Sequence, residues 1–165
     1  MTREPGLVDD VREVARTATR SAARGKKAAP RTIDVRFAGG TTARLDPVSA
    51  RDRVWADVLE ELKATGRPAY VEIDPKTRHI TTVLLPRPLT VTAVREIAGG
   101  DLEIDLEISH ARHYLRREHP RFEELRKTLE RSRRAKEPVL VTDSLDGSAI
   151  VDARPARTPR ARTRR

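Results

Sequence analysis

Cysteine is absent, aromatic side chains number only five in 165 residues, and no stretch of eighteen apolar residues occurs. The first absence excludes a disulfide scaffold, Cys-ligated zinc and a cysteine nucleophile. The second denies the chain a base-stacking platform, because Phe37 and Tyr70 are isolated strand aromatics without neighbours of their kind. The third excludes a spanning helix. The N-terminus has no short apolar core ending in a small-residue cleavage site, so a cytoplasmic protein is expected. Also missing are GxxxxGK[ST], a GxGxxG following a strand, and a GxSxG elbow. Ser109 next to His110 does not supply the last, since sequence neighbours rarely present triad geometry. A non-enzymatic protein with no cofactor is the expectation. Length bounds the fold to one domain or two very small ones.

Positive charge is present in excess but unevenly. Of a net +9, residues 1–31 hold +4 and the six arginines of 154–165 hold +6, leaving −1 for 32–153. A neutral body therefore carries basic ends. The last dozen residues cannot bury enough apolar surface to offset their ordering entropy, so disorder is expected there. An Arg-only tail suits a polyanion, because each neutralised phosphate releases counterions. Arg157, Arg160, Arg162, Arg164 and Arg165 are the candidate nucleic-acid contacts of this tail. Arg outnumbers Lys 28 to 6, a bias typical of a GC-rich, bacterial genome.

The stretch 6–24 places Leu7, Val8, Val11, Val14, Ala15 and Ala18 on one helical stripe, with acids early and arginines late. An N-terminal amphipathic helix is expected, its Arg12, Arg16 and Arg20 in an i, i+4 row. Gly25 and Lys26–Pro30 then read as a basic linker.

From Thr32 the pattern is strand, Gly39-Gly40 turn, strand, helix, strand, turn, strand. Ser49 with Asp52 resembles a capping box, and Gly66 stands where a left-handed helix cap belongs. Residues 89–153 repeat this order. Gly99-Gly100 echoes Gly39-Gly40, Pro138 echoes Pro68, and a ten-residue insertion falls within His110–His119. The predicted fold is α+β: two ββαββ copies, 32–88 and 89–153, fused into one antiparallel sheet with both helices on one face.

Three body features are site candidates. Asp101, Glu103, Asp105 and Glu107 alternate with aliphatics and line one strand face, suited to a cation or a basic peptide or else paired with arginine across the sheet. The segment 110–119 collects His110, His113 and His119 with Arg112, Arg116 and Arg117. Two histidines at i, i+3 would share a helical face, yet three locked ligands are needed for zinc. An anion-binding loop formed by His110, Arg112, His113, Arg116 and Arg117 is the expected role. The second helix is rich in Arg and Lys, but Glu123–Lys127 and Glu130–Arg134 are spaced as self-neutralising i, i+4 pairs. His79 reads as strand packing, and Trp55 and Phe122 as helix core.

Residues 104–155, above all IDLEISHARHYLRREHPRFEELRKTLE and PVLVTDSLDGSAIVDARP, resemble the non-catalytic region preceding the catalytic domain of bacterial protein-glutaminase-like proteins. That family's chemistry requires a cysteine, so no catalytic residue carries over. The resemblance implies a stand-alone accessory module. Two functions follow: a small basic protein binding nucleic acid or another polyanion, or a protein-interaction, accessory or immunity-like module using its sheet and acidic strand.

Overall fold

The computed structural model describes residues 6–16 and 32–156. The chain divides into two compact units, one up to Leu85 and one from Pro86. The first contains β1 (Leu7–Arg16), β2 (Ile33–Phe37), β3 (Thr42–Leu45), α1 (Ala50–Thr65), β4 (Pro68–Ile73) and β5 (Ile80–Leu84). The second contains β6 (Arg87–Glu96), a 3-10 turn at Ala98–Gly100, β7 (Leu102–Leu106), β8 (His113–Leu115), α2 (Phe122–Ala135), β9 (Pro138–Asp143) and β10 (Ile150–Pro155). No helix among the described residues is long and apolar enough to cross a membrane.

The α+β class is as read from the sequence, but the single fused sheet is not. Each unit has its own five-stranded antiparallel sheet, ordered β3-β2-β1-β4-β5 and β8-β7-β6-β9-β10. Each is therefore βββαββ, one strand longer than expected. The N-terminal helix is the second correction. Residues 7–16 form β1, the central strand of its sheet, paired to β2 on one side and β4 on the other. A bulge between Val11 and Glu13 explains the misreading. Strand periodicity puts Leu7 and Val11 on one face, and the extra residue turns Val14 back onto that same face. Spacing of four and then three imitates a helix. The helix expectation for 17–24, including Arg20, and the 25–30 linker lie outside the described residues.

The third correction concerns the repeat's register. Gly39-Gly40 lies in the β2–β3 turn, whereas Gly99-Gly100 lies in the turn entering β7. The glycine pairs thus occupy different connections. The supposed insertion contains β8, whose pairing matches that of β3: Leu45 faces Ile33 as Leu115 faces Leu102. From β3 onward the corresponding residues stand seventy apart, for example Val71 facing Val83 and Val141 facing Ala153. Both central strands carry the same bulge, β6 between Val91 and Ala93.

Each core lies between sheet and helix. Phe37, Leu45, Leu59 and Ile80 are buried in the first, and Ile104, Leu115, Leu125 and Leu129 in the second. The predicted caps of α1 are present. The Asp52 N–H donates to Ser49 Oγ at 3.3 Å, and Gly66 takes φ 66°. At the end of α2 a lysine, Lys136, adopts the left-handed cap at φ 54°, a conformation that favours glycine.

Candidate functional site

The acidic face of β7 is occupied by arginine. Asp101 accepts from Arg116 at 2.9 Å and from the backbone N–H of Arg117 at 2.7 Å. Those two donors, the backbone one foremost, hold its carboxyl below the usual aspartate range. Arg95 bridges Glu103 at 2.8 Å and Asp105 at 2.7 Å, and Arg112 approaches Glu103 at 3.7 Å. Glu107 lies beyond the end of the strand. These pairs are cross-strand neutralisation, and they leave no open row of carboxylates. Among the described residues no three metal-ligating side chains converge.

The 110–119 segment is not one loop surface. Its centre is strand β8, so His110 and His113 do not share a helical face. His110 is exposed and His113 is buried. His119 ties two elements together, its Nε2 3.0 Å from the Val151 carbonyl and its Nδ1 accepting the Arg121 N–H at 3.1 Å. Arg112, Arg116 and Arg117 are all exposed but already matched to Glu103, Asp101 and Glu123. A phosphate would compete with those carboxylates.

The pairing of Arg117 with Glu123 at 3.0 Å has a consequence on α2. It takes the carboxylate expected to neutralise Lys127. Glu130 is shared between Arg126 at 3.1 Å and Arg134 at 3.6 Å. Lys127, Arg131 and Arg133 form no ion pair among the described residues. Residues 127–136 carry five basic side chains and one acidic, and Lys127, Glu130, Arg131 and Arg134 line an open groove of about 530 Å³. Spacing of three and four residues puts these side chains on one outer face. Arg121, by contrast, belongs to the fold. It is clamped by Glu124 at 2.6 Å and the buried Asp152 at 2.6 Å, and Glu124 above all raises its pKa.

In the first unit, Arg16 reaches Asp57 and Glu60 of α1 at 2.5 and 3.3 Å, which removes it from the proposed cationic row. His79 lies one residue before β5 and contacts the fully buried Asp52 through Nε2 at 2.9 Å. The outer sheet face carries Glu13–Arg36 and Asp34–Arg44 pairs around a cavity of about 350 Å³. Arg157, Arg160, Arg162, Arg164 and Arg165 lie outside the described residues.

One constellation had no signal in the sequence. Ser109 Oγ lies 2.9 Å from His113 Nε2, and His113 Nδ1 lies 3.0 Å from Asp143 Oδ1. Asp143 is thirty residues beyond His113 and is brought beside it only by the folding of the second unit. Compared with known proteins, the chain matches no family model, no curated protein and no solved structure.

Proposed function

We propose that the chain is a small binding protein, built by duplication of a βββαββ unit, that contacts nucleic acid or another polyanion. Its Arg-rich ends and the outer face of α2 supply the charge. The observation carrying this reading is the pair of unmatched cations Lys127 and Arg131 that line the groove on α2. A cation already held by a carboxylate gains little from a phosphate, whereas an unmatched one gains the full counterion-release contribution. Arg112, Arg116 and Arg117, with His110 alongside, are secondary contacts that form when their carboxylates are displaced. The protein-interaction alternative is weaker, because Asp101, Glu103 and Asp105 are internally matched. The resemblance to an accessory region spans most of the second unit, from β7 to β10, and agrees with a binding role.

The test is fluorescence anisotropy of a labelled DNA duplex and a matched RNA against the full chain, from 50 to 200 mM salt. Changing Lys127 and Arg131 to Gln removes both. On duplex DNA the slope of log affinity against log salt should flatten by about 1.8. An unchanged slope removes α2 from the interface, and no binding by the full chain ends the polyanion reading. Truncation after Ala156 then measures the tail's share and leaves β10 whole.

A further inference from the structure

We infer that Ser109 is an activated nucleophile, with His113 its general base and Asp143 and Arg87 positioning that base, and that it accepts an acyl group from a small ester. The geometry is that of a hydrogen-bonded relay. Ser109 Oγ and His113 Nε2 are 2.9 Å apart, His113 Nδ1 and Asp143 Oδ1 are 3.0 Å apart, and Arg87 donates to the other Asp143 oxygen at 2.7 Å. An imidazole whose Nδ1–H is held by a carboxylate presents its Nε2 lone pair to the hydroxyl, the arrangement that makes serine reactive. His113 is 2% exposed, so the ring cannot swing away, while Ser109 at the mouth of the relay is only partly covered.

Two independent observations separate this relay from ordinary core satisfaction. The residue before the serine, Ile108, has φ 69° and is 91% exposed. A β-branched side chain in the left-handed region is strained, and exposure brings no packing in return. The second observation comes from the other unit. The positions registering with His113, Asp143 and Arg87 are Ala43, Ile73 and Leu7: Ala43 faces Val35 as His113 faces Ile104, Ile73 faces Ile80 as Asp143 faces Ile150, and Leu7 faces Val71 as Arg87 faces Val141. The same fold closes there with apolar side chains. The fold therefore closes at these positions without the network.

In the acyl step Ser109 Oγ bonds to the ester carbonyl carbon and its proton passes to His113 Nε2. The carbon–alkoxide bond then breaks, and His113 returns the proton to the departing alcohol. Water, deprotonated by His113, cleaves the acyl-serine to a carboxylic acid and restores the hydroxyl. The Ala111 N–H donates to Ser109 Oγ, its nitrogen 3.4 Å away, and helps to orient that oxygen. Ser109 is only partly covered, which is why the substrate class is a small, exposed ester.

The full-length chain is incubated with a fluorophosphonate probe, which forms a phosphorus–oxygen bond to an activated serine and expels fluoride, and the adduct is located by peptide mapping. A label on Ser109 that is lost in Ser109→Ala is expected. No label, or a label on other serines alone, overturns the inference. Because the chain has no cysteine, Ser109→Cys and the control Ser148→Cys each create a single thiol. Iodoacetamide should alkylate Cys at 109 at least tenfold faster, and Asp143→Asn in that background should shift the pH profile of alkylation. Equal rates at the two positions, or an unmoved profile, overturn the assigned roles of His113 and Asp143.

Discussion

Deleting residues 1–16 should unfold the first unit and spare the second, because β1 joins two hairpins that otherwise meet, among the described residues, through an isolated bridge between Arg44 and His79. Val11 is buried, and Leu7 and Val14 pack against the same core. Full burial of such a side chain contributes about 1.5–3 kcal/mol. One buried and two half-buried residues therefore supply roughly 3–6 kcal/mol. A unit ending at Leu85 has a total stability on the order of 4–13 kcal/mol at the usual density per residue. Beyond that loss, β2 and β4 would each expose an unpaired edge. The assay is simple because the sole tryptophan, Trp55, lies on α1 against this core. Its fluorescence in a urea titration reports the first unit alone. The full chain should give a cooperative transition, the deletion none, and Val11→Ala an intermediate loss of about 1–2 kcal/mol. An unchanged Trp55 transition in the deletion would refute the central placement of β1 and revive a peripheral N-terminal helix.

Asp52 is fully buried and accepts from the Asp46 N–H at 2.8 Å and from His79 at 2.9 Å, with Arg51 at 3.2 Å. Asp52→Ala should cost about 2–4 kcal/mol, toward the low end for a broken buried pair, because His79 and Arg51 can reach water. Ser49→Ala, which removes only the cap, should cost about 1 kcal/mol. Both are read from the Trp55 urea midpoint, and equal losses would show that the burial of Asp52 is incidental. In the β9–β10 turn, Asp146 is held down to about 2, first by the Ser144 hydroxyl and then by the Ser148 N–H and hydroxyl. A depressed carboxyl stabilises the fold above its unfolded value and loses that contribution as pH falls through its folded value. Protection of the amides in residues 144–149, taken relative to their intrinsic exchange rates at each pH, should therefore fall between about pH 4 and pH 2, and in Asp146→Asn that fall should vanish.

How much of this was legible follows from how local each cause is. The cap at Ser49, the left-handed Gly66 and the Pro68 strand entry are set within a few residues, and the sequence displays them. The β1 bulge is equally local, but its four-then-three spacing is shared with a helix, and only pairing with β2 and β4 decides between the two. In β6 the same bulge caused no confusion, because its β-branched residues, threonines and valines, already favour a strand. Tertiary pairing settles what periodicity leaves open.

Charge behaves the same way. The i, i+4 rule pairs Glu123 with Lys127 on paper, but Arg117, six residues before Glu123 and on a different element, claims that carboxylate instead. The identity of the unmatched cations is thus a property of the folded unit. The expectation for the replacement Arg117→Ala follows directly. It removes a basic residue, yet it frees Glu123 to meet Lys127 one turn along α2. If α2 is the polyanion interface, the variant should weaken duplex binding by about one phosphate contact, that of Lys127, because Arg117 was already matched. The salt slope should drop by about one cation's worth, roughly 0.9. Arg112→Ala, whose partner Glu103 is also held by Arg95, should leave the slope nearly unchanged. A slope change no larger in Arg117→Ala than in Arg112→Ala would place the phosphate contacts on the 110–119 segment and not on the helix.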